Sequence, residues 1–172
     1  MAAYSLAESD LAGSSGRRPI TAPKTLTGGR RQVELVLMTD GEEYRERVTV
    51  PDEVPEWFTS SIDALNRVLA LPAPLDSDDA LPIDPRVAMA AMHLLADVMR
   101  RDTPAPAVTP TPLGHVTLHW SMRGMDMEVE IGPDGPTCLF YEDARSGEEW
   151  EGSIDSDRIR LTRQLLELTR RR

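Results

Sequence analysis

The chain has 172 residues, of which 40% are hydrophobic and 28% charged, with a net charge of −10 and a pI near 4.8. This size supports one domain with a hydrophobic core, and no apolar run approaches the roughly 20 residues of a membrane-spanning helix. The single cysteine, Cys138, excludes an intramolecular disulfide and a multi-thiolate metal site, and the acidic balance argues against nucleic-acid binding by the whole surface, which requires Lys and Arg to neutralise phosphates.

The first 31 residues differ in composition from the rest of the chain. They are rich in Ala, Ser, Gly, Thr and Pro, which cannot bury enough apolar surface to offset the entropy of ordering. We therefore predict a disordered tail over 1–31 and a single α+β domain over 32–172. Residues 1–20 contain no apolar segment of the kind that a secretory signal has, so a cytoplasmic location is expected.

The domain is predicted to begin with a hairpin and a helix. Residues 32–50 alternate around Asp40-Gly41, a dipeptide typical of tight hairpin turns. Residues 52–71 have helical periodicity, and Pro55 suits the first turn of a helix, where no N–H donor is needed. The predicted buried stripe of this helix contains Phe58, Ile62, Leu65 and Leu69.

An acidic linker, 75–81, separates this helix from a second one. The linker lacks the glycine and the terminal glutamate of a calcium-binding loop, so we interpret it as solvated. Asp84-Pro85 then predicts a capped helix that runs to about Arg101. His93 lies at the margin of its apolar stripe, where a packing or surface role is expected rather than catalysis. That stripe contains Ala88, Ala91, Met92, Leu95, Val98 and Met99, with Met89 and Leu94 beside it.

Residues 103–112 contain four prolines, which fix φ and remove N–H donors. We predict a stiff, extended connector. Recognition of this segment by an aromatic groove of another protein is the alternative.

Residues 116–152 alternate apolar and polar side chains between short turns, which predicts an antiparallel meander. If Ser121 to Gly124 form the first loop, Trp120 pairs with Met125. The same register pairs Leu118 with Met127, Val116 with Val129, His119 with Asp126 and His115 with Glu130. One assignment thus satisfies both the apolar and the polar face.

Two further strands and a helix are expected beyond this hairpin. The turn at 132–136 leads to strands at 137–142 and 148–154, and Ser156 is predicted to cap the last helix. The apolar residues assigned to this helix are Ile159, Leu161, Leu165, Leu166 and Leu168.

Several motifs in the second half of the chain recur together. They are Pro110-Thr111-Pro112-Leu113-Gly114, the strand Val116 to Trp120, the segment Gly124 to Val129, and Pro133-Asp134-Gly135. With 141–143, 147–152 and the helix start at Asp84-Pro85, this half resembles a family of uncharacterised bacterial proteins that share this order of motifs. His115 departs from the pattern, in which glycine or a polar residue is commoner. The resemblance implies no particular activity or cofactor.

The sharpest enzymatic candidate is the polar face of the meander, where a histidine beside a cross-strand carboxylate could act as a general base. An open sheet face lacks a pocket that excludes water, so surface charge pairs are the preferred interpretation. His115 and His119, four residues apart on a strand, are separated by roughly 13 Å and cannot share one metal ion. Cys138 is expected to be a buried or half-buried structural thiol. We therefore predict no catalytic residue, no metal and no cofactor.

The sequence predicts an antiparallel sheet packed against two or three helices, in a non-enzymatic accessory or regulatory protein that binds another protein. An antitoxin-like or immunity-like protein that neutralises a basic partner fits the acidic body. The residues assigned to this partner surface are His115, His119, Asp126, Glu128 and Glu130.

Two other functions remain open at this point. The first is nucleic-acid binding through the basic termini, which is the less favoured because of the acidic net charge. The second is hydrolysis by the His-carboxylate face. No membrane partner is expected, and an unpaired sheet edge leaves homodimerisation open.

Overall fold

The computed structural model describes residues 29–39, 42–71 and 81–171. Over these ranges the chain forms three helices and seven strands. In chain order the elements are β1 (Arg30–Thr39), β2 (Glu42–Pro51), α1 (Glu56–Leu69), α2 (Pro85–Val98), β3 (Ala107–Pro110), β4 (Val116–Met122), β5 (Met125–Gly132), β6 (Gly135–Asp143), β7 (Glu148–Gly152) and α3 (Ile154–Arg170).

The strands form two antiparallel sheets, so the predicted α+β class is confirmed. One sheet is the β1–β2 hairpin, and the other is a five-stranded meander in the order β3-β4-β5-β6-β7. All three helices contribute to a core that both sheets share, with α2 contacting β2, β4, β5 and β6. Among the described residues, no helix is both long and apolar enough to cross a membrane.

The N-terminal hairpin buries one of its two faces. Thr39 pairs with Glu42, and the register continues without a shift to Arg30 and Pro51. The predicted turn, Asp40-Gly41, lies outside the described residues, as do residues 75–80 of the acidic linker and residues 1–28 of the predicted tail. The buried residues of this hairpin are Leu35, Leu37, Val48 and Val50. Strand β1 begins at Arg30, whose guanidinium donates a hydrogen bond to the Ala96 carbonyl near the end of α2.

The first two helices follow the predicted stripes. Pro55 is the N-cap of α1, and the Asp84 carboxylate caps α2 by accepting the Arg86 N–H at 2.8 Å. Every residue predicted for the two buried stripes is buried, because the apolar spacing of three and four places them on one side of each helix.

Two tryptophans hold the segment between α2 and β3. The Trp57 indole N–H donates to the Arg100 carbonyl at 2.8 Å, and the Trp120 indole N–H donates to the Pro104 carbonyl at 3.0 Å. Both rings are almost fully buried, at 1% and 2% exposure. One side chain from α1 and one from β4 thus fix both ends of this connection.

The register predicted for β4 and β5 is wrong by two residues. The turn consists of Arg123 and Gly124 alone, both with positive φ, so Met122 pairs with Met125 and Trp120 pairs with Met127. Positive φ at both central positions is the geometry that matches the twist of antiparallel strands. Arg is uncommon at the first of these positions, which is why the sequence favoured a longer loop. A shift of two residues keeps each side chain on its predicted face.

Replacement of Gly124 by alanine tests this turn. A Cβ there meets nothing closer than 3.7 Å, so the cost comes from the φ of +82° rather than from a clash. We expect Gly124→Ala to lower the free energy of unfolding by about 1 kcal/mol, measured by urea denaturation. Gly135→Ala, which also has open space and a positive φ, should behave similarly. An unchanged midpoint in both variants would contradict this explanation.

The predicted extended connector, 103–112, contains a strand that joins the sheet. Ala107–Pro110 form the edge strand β3, which pairs with β4 from His119 to Val116. Prolines are compatible with an edge strand because one row of its N–H groups has no ladder partner to lose. Pro106, directly before β3, is buried.

The last helix starts earlier than predicted. Ser153, not Ser156, is its N-cap, and the Ser153 hydroxyl accepts the Ser156 N–H. Ile154, Leu161, Leu165 and Leu168 pack into the core, whereas Ile159 is 87% exposed, contrary to the expectation that it belongs to the buried stripe.

A nearly buried ion pair fastens the end of α3 to the sheet. Arg171 donates from both terminal nitrogens to Asp143, at 3.1 and 2.8 Å, and the two side chains are 17% and 4% exposed. The hydrogen bonds from Arg171 outweigh the effect of burial and hold the pKa of Asp143 well below its usual value; the same contact raises the pKa of Arg171. The pair joins residues 28 positions apart in sequence.

Candidate functional site: the outer face of the five-stranded sheet

Alternation along β4, β5 and β6 separates an apolar inner face from a polar outer face. The inner face lies under the helices and is fully buried along β5. The inner residues are Val116, Leu118, Trp120, Met125, Met127, Val129, Ile131, Leu139 and Tyr141. The outer face is defined here as His115, Thr117, His119, Asp126, Glu128, Glu130, Cys138, Phe140, Glu142, Glu149 and Glu151.

The outer face carries many acidic residues and no lysine or arginine. None of the strands β3 to β7 contains a lysine or an arginine. The nearest arginines in the sequence, Arg123 and Arg145, lie in the turns at one end of the sheet. Six carboxylates therefore share the outer face without a lysine or an arginine in its strands.

One row across the sheet consists of three carboxylates. Asp126 of β5 pairs with Glu142 of β6, and Glu142 pairs with Glu149 of β7. Directly opposed residues in antiparallel strands have Cβ atoms about 4.5–5.5 Å apart, a distance at which like charges destabilise a sheet. This row is a local cost to folding.

The adjacent row has an aromatic ring at its centre. Phe140 of β6 lies between Glu128 of β5 and Glu151 of β7, and it is partly buried. Glu142 follows two positions along the same strand and points to the same side. An apolar ring among carboxylates is a suitable surface for a cationic side chain, which gains from both the ring face and the negative charges.

The two predicted histidine–carboxylate contacts are present, although the register that predicted them was wrong. His115 Nδ1 lies 2.6 Å from a Glu130 oxygen, and His119 Nε2 lies 2.9 Å from an Asp126 oxygen. His119 is directly opposite Glu128 in the true register, so its contact with Asp126 is diagonal. Diagonal neighbours are within reach of long side chains. Both histidine–carboxylate contacts therefore form despite the two-residue difference in register.

The third histidine lies elsewhere. His93 Nε2 on α2 is 2.8 Å from a Glu46 oxygen on β2. Both side chains are partly exposed, which agrees with the surface role predicted for His93. No local pattern identifies Glu46 as its partner, because the two residues are 47 positions apart.

Cys138 is exposed, and the prediction that it is at least half-buried is wrong. It pairs with Glu130 on the outer face. Successive residues of a strand point to opposite faces, so Cys138 faces outward because its neighbour Leu139 faces inward.

The geometry around the histidines provides little for catalysis. His115 and His119 lie on an open sheet face, with side chains 20% and 33% exposed. The groove of about 250 Å³ that Asp126 lines is formed around the Arg123-Gly124 turn and does not include His119. The structure brings together all five residues assigned to the partner surface, and it adds Phe140, Glu142, Glu149 and Glu151, which the sequence analysis did not assign to it.

Part of the basic C-terminal end, Arg170 to Arg172, contacts acidic residues of the domain. Arg171 contacts Asp143 and also Glu167, whereas Arg170 is exposed. Of the two terminal arginines that the structure describes, Arg171 is therefore held in an intramolecular ion pair.

Comparison with family models, with curated proteins and with solved structures finds no match to this chain.

Proposed function

We propose that this protein acts by binding a basic protein partner through the outer face of the five-stranded sheet, and not by catalysis. The observation that carries the proposal is the row Asp126–Glu142–Glu149, three carboxylates on adjacent strands with no lysine or arginine in the sheet to balance them. A partner that supplies Arg or Lys side chains would remove this repulsion on binding.

The charge distribution also supports rapid recognition. Six carboxylates on one face create a negative potential that steers a basic partner toward it and accelerates association. The net charge of −10 has the same sign, so the remainder of the molecule does not oppose this attraction.

Phe140 supports the proposal by offering an anchor within the charged surface. Interface energy is concentrated in a few central side chains that become fully desolvated, with polar residues around them. Phe140, flanked by Glu128 and Glu151, has this arrangement on the outer face. An arginine is the side chain that best combines stacking on the ring with hydrogen bonds to the carboxylates.

We propose further that the protein is an accessory or regulatory protein that covers a basic surface of its partner, in the manner of an antitoxin or an immunity protein. An acidic protein that blocks a nucleic-acid-binding or otherwise cationic surface does so by charge complementarity, which requires no reactive group of its own. The open geometry of the outer face is consistent with such a role.

Cys138 allows a direct test. It is the sole cysteine of the chain and is exposed on the outer face. A photoreactive crosslinker attached to Cys138 of the full-length protein, activated in native lysate at low salt, is expected to capture one stoichiometric basic protein. The captured protein should be lost when Glu128 and Glu142 are both changed to lysine.

A matched control places the same crosslinker on the opposite side of the domain. The double variant Cys138→Ser, Ile159→Cys carries it on α3, where residue 159 is 87% exposed. Capture of the same protein from both positions, or capture that the charge reversal leaves unchanged, would contradict binding at the outer face.

The repulsive row predicts opposite effects of one substitution on stability and on binding. Glu142→Gln should raise the free energy of unfolding by about 0.5 kcal/mol, because it removes a like charge opposed on both sides. It should also weaken binding of the captured partner by roughly tenfold, measured by calorimetry. Asp134→Asn neutralises an exposed carboxylate in the turn after β5 and should change neither quantity noticeably. A stabilised variant that binds the partner as tightly as the original protein would show that this row of carboxylates does not contribute to partner binding.

The two alternatives make different predictions. Nucleic-acid binding through the basic termini predicts salt-sensitive binding that is lost when residues 1–28 are removed, a deletion that leaves β1 intact. Hydrolysis by the His-carboxylate face predicts activity that both His115→Ala and Asp126→Ala abolish in folded protein. We favour neither, because Arg171 is held in an ion pair and the histidines lie on an open face.

A further inference from the structure

Each of the three histidines contacts a carboxylate, and within the described ranges His119 alone contacts two. Its Nε2 atom is 2.9 Å from an Asp126 oxygen and 3.8 Å from a Glu128 oxygen. The three potential donor atoms lie within 4.8 Å of one another. We call these three residues, His119, Asp126 and Glu128, the three-donor cluster.

The backbone positions the three-donor cluster without strain. Asp126 and Glu128 are two residues apart on β5, so their side chains project from the same face of the sheet. His119 on β4 is directly opposite Glu128 and diagonal to Asp126. Three side chains from two paired strands therefore converge over one point of the sheet.

The spacing matches that of ligands around a small metal ion. Ligands at about 2.0–2.2 Å from a tetrahedral Zn²⁺ are separated from one another by roughly 3.3 Å. The distances from His119 Nε2 to the two carboxylate oxygens fall on either side of this value. Small rotamer adjustments would therefore bring all three donors to one ion.

The charge of the cluster favours a cation. In the part of the chain that the structure describes, neither Asp126 nor Glu128 forms an ion pair with a lysine or an arginine. Both carboxylates instead approach the same imidazole nitrogen. A divalent ion would offset their mutual repulsion and that of Glu142, which is opposite Asp126.

We propose that the three-donor cluster is a binding site for one divalent transition-metal ion, with Zn²⁺ as the preferred ion. An imidazole nitrogen among the donors disfavours Ca²⁺ and Mg²⁺, which take oxygen ligands. Three protein ligands leave the fourth position to water, since the side chains are 33%, 37% and 49% exposed. The open position faces solvent and is available to a donor from a bound molecule.

This proposal goes beyond the proposed function and does not depend on it. Metal binding would be measured on the isolated protein, and partner binding could fail while it succeeds. Conversely, partner binding could succeed in a protein that binds no metal ion, because carboxylates alone are sufficient to attract a basic partner.

Titration calorimetry of the full-length protein with Zn²⁺ tests the site. We expect one ion per chain with a dissociation constant on the order of 10 µM. Co²⁺ is expected to give the visible absorption of a four-coordinate site, which is independent of any activity. Both His119→Ala and the double variant Asp126→Asn, Glu128→Gln should weaken binding by at least about tenfold.

The second histidine of the outer face provides the matched control. His115 contacts one carboxylate, Glu130, at 2.6 Å, and His115→Ala should leave the Zn²⁺ affinity unchanged. Thermal unfolding of each variant confirms that it is folded. The proposal is overturned if the original protein binds no Zn²⁺ at 1 mM, a concentration about a hundredfold above the expected constant, or if His115→Ala and His119→Ala weaken binding equally.

Discussion

Replacement of Asp143 by asparagine is expected to lower the free energy of unfolding by about 3 kcal/mol at neutral pH. Asp143 is 4% exposed and receives both terminal nitrogens of Arg171 as well as the Arg145 N–H. The substitution leaves the Arg171 guanidinium, which is 17% exposed, with an incomplete partner. Urea denaturation followed by circular dichroism measures the loss.

The same pair predicts a specific dependence on pH. Folding lowers the pKa of Asp143 because Arg171 hydrogen-bonds the ionised carboxylate. The stabilisation is therefore fully present above the unfolded-state pKa of about 4 and is lost as the pH falls below it. The stability difference between the original protein and Asp143→Asn should shrink as the pH falls from about 5 toward 2. A constant difference over this range would contradict the assignment.

An exposed ion pair on the same helix serves as the control for both measurements. Arg158 of α3 lies 2.9 Å from Asp97 of α2, and the two side chains are 54% and 53% exposed. Exposed pairs contribute little because water screens them and because two long side chains must be ordered. Arg158→Ala should cost less than about 1 kcal/mol. An equal loss in the two variants would mean that burial of the Asp143 pair is not what makes it strong.

Replacement of Trp120 by alanine is expected to have the largest effect on stability, a loss of about 4 kcal/mol. The ring is 2% exposed and lies on the inner face of β4, opposite Met127. Its removal leaves a cavity that the rigid sheet cannot close, and it also releases the Pro104 carbonyl. Guanidinium denaturation of the purified variant measures the loss.

Trp120→Phe separates the two contributions. Phenylalanine keeps most of the apolar volume but cannot donate to Pro104, so we expect a loss of about 1.5 kcal/mol. Trp57→Phe, which removes the matching bond to Arg100, should cost a similar amount. If Trp120→Phe is as damaging as Trp120→Ala, then shape at this position matters more than burial, and the two-term explanation fails.

Side-chain faces could be predicted from the sequence, whereas strand pairing could not. Alternation with a period of two is a local property, and it assigned the apolar residues of β4 and β5 to the inner face correctly. Register depends on the turn, and an arginine with positive φ at position 123 is not a recognisable hairpin signal. The strand β3 was missed because Pro106 and Pro110 suggested a stiff connector outside the sheet, although proline is compatible with a sheet edge.

Contacts between distant residues were beyond the reach of local patterns. Arg171 belongs to a run of terminal arginines and Asp143 ends β6, and no local pattern connects the two. They nevertheless form the ion pair of lowest exposure among the described residues. The converging donors on His119 could have been anticipated only with the true register, which places Glu128 opposite it. Phe140 gave no signal because a single outward aromatic residue resembles ordinary strand composition.

The two edges of the meander determine whether this sheet can add strands from other chains. Within the described ranges, β3 and β7 each pair with one neighbour, and edge strands of this kind are where sheets add strands from other chains and aggregate. Here β3 has four residues and ends in a proline, and β7 has five residues, of which three are glutamates. Short length, proline and repeated negative charge all disfavour strand addition. The meander should therefore not add strands from other chains, which leaves side chains rather than exposed backbone to govern its encounters with other proteins.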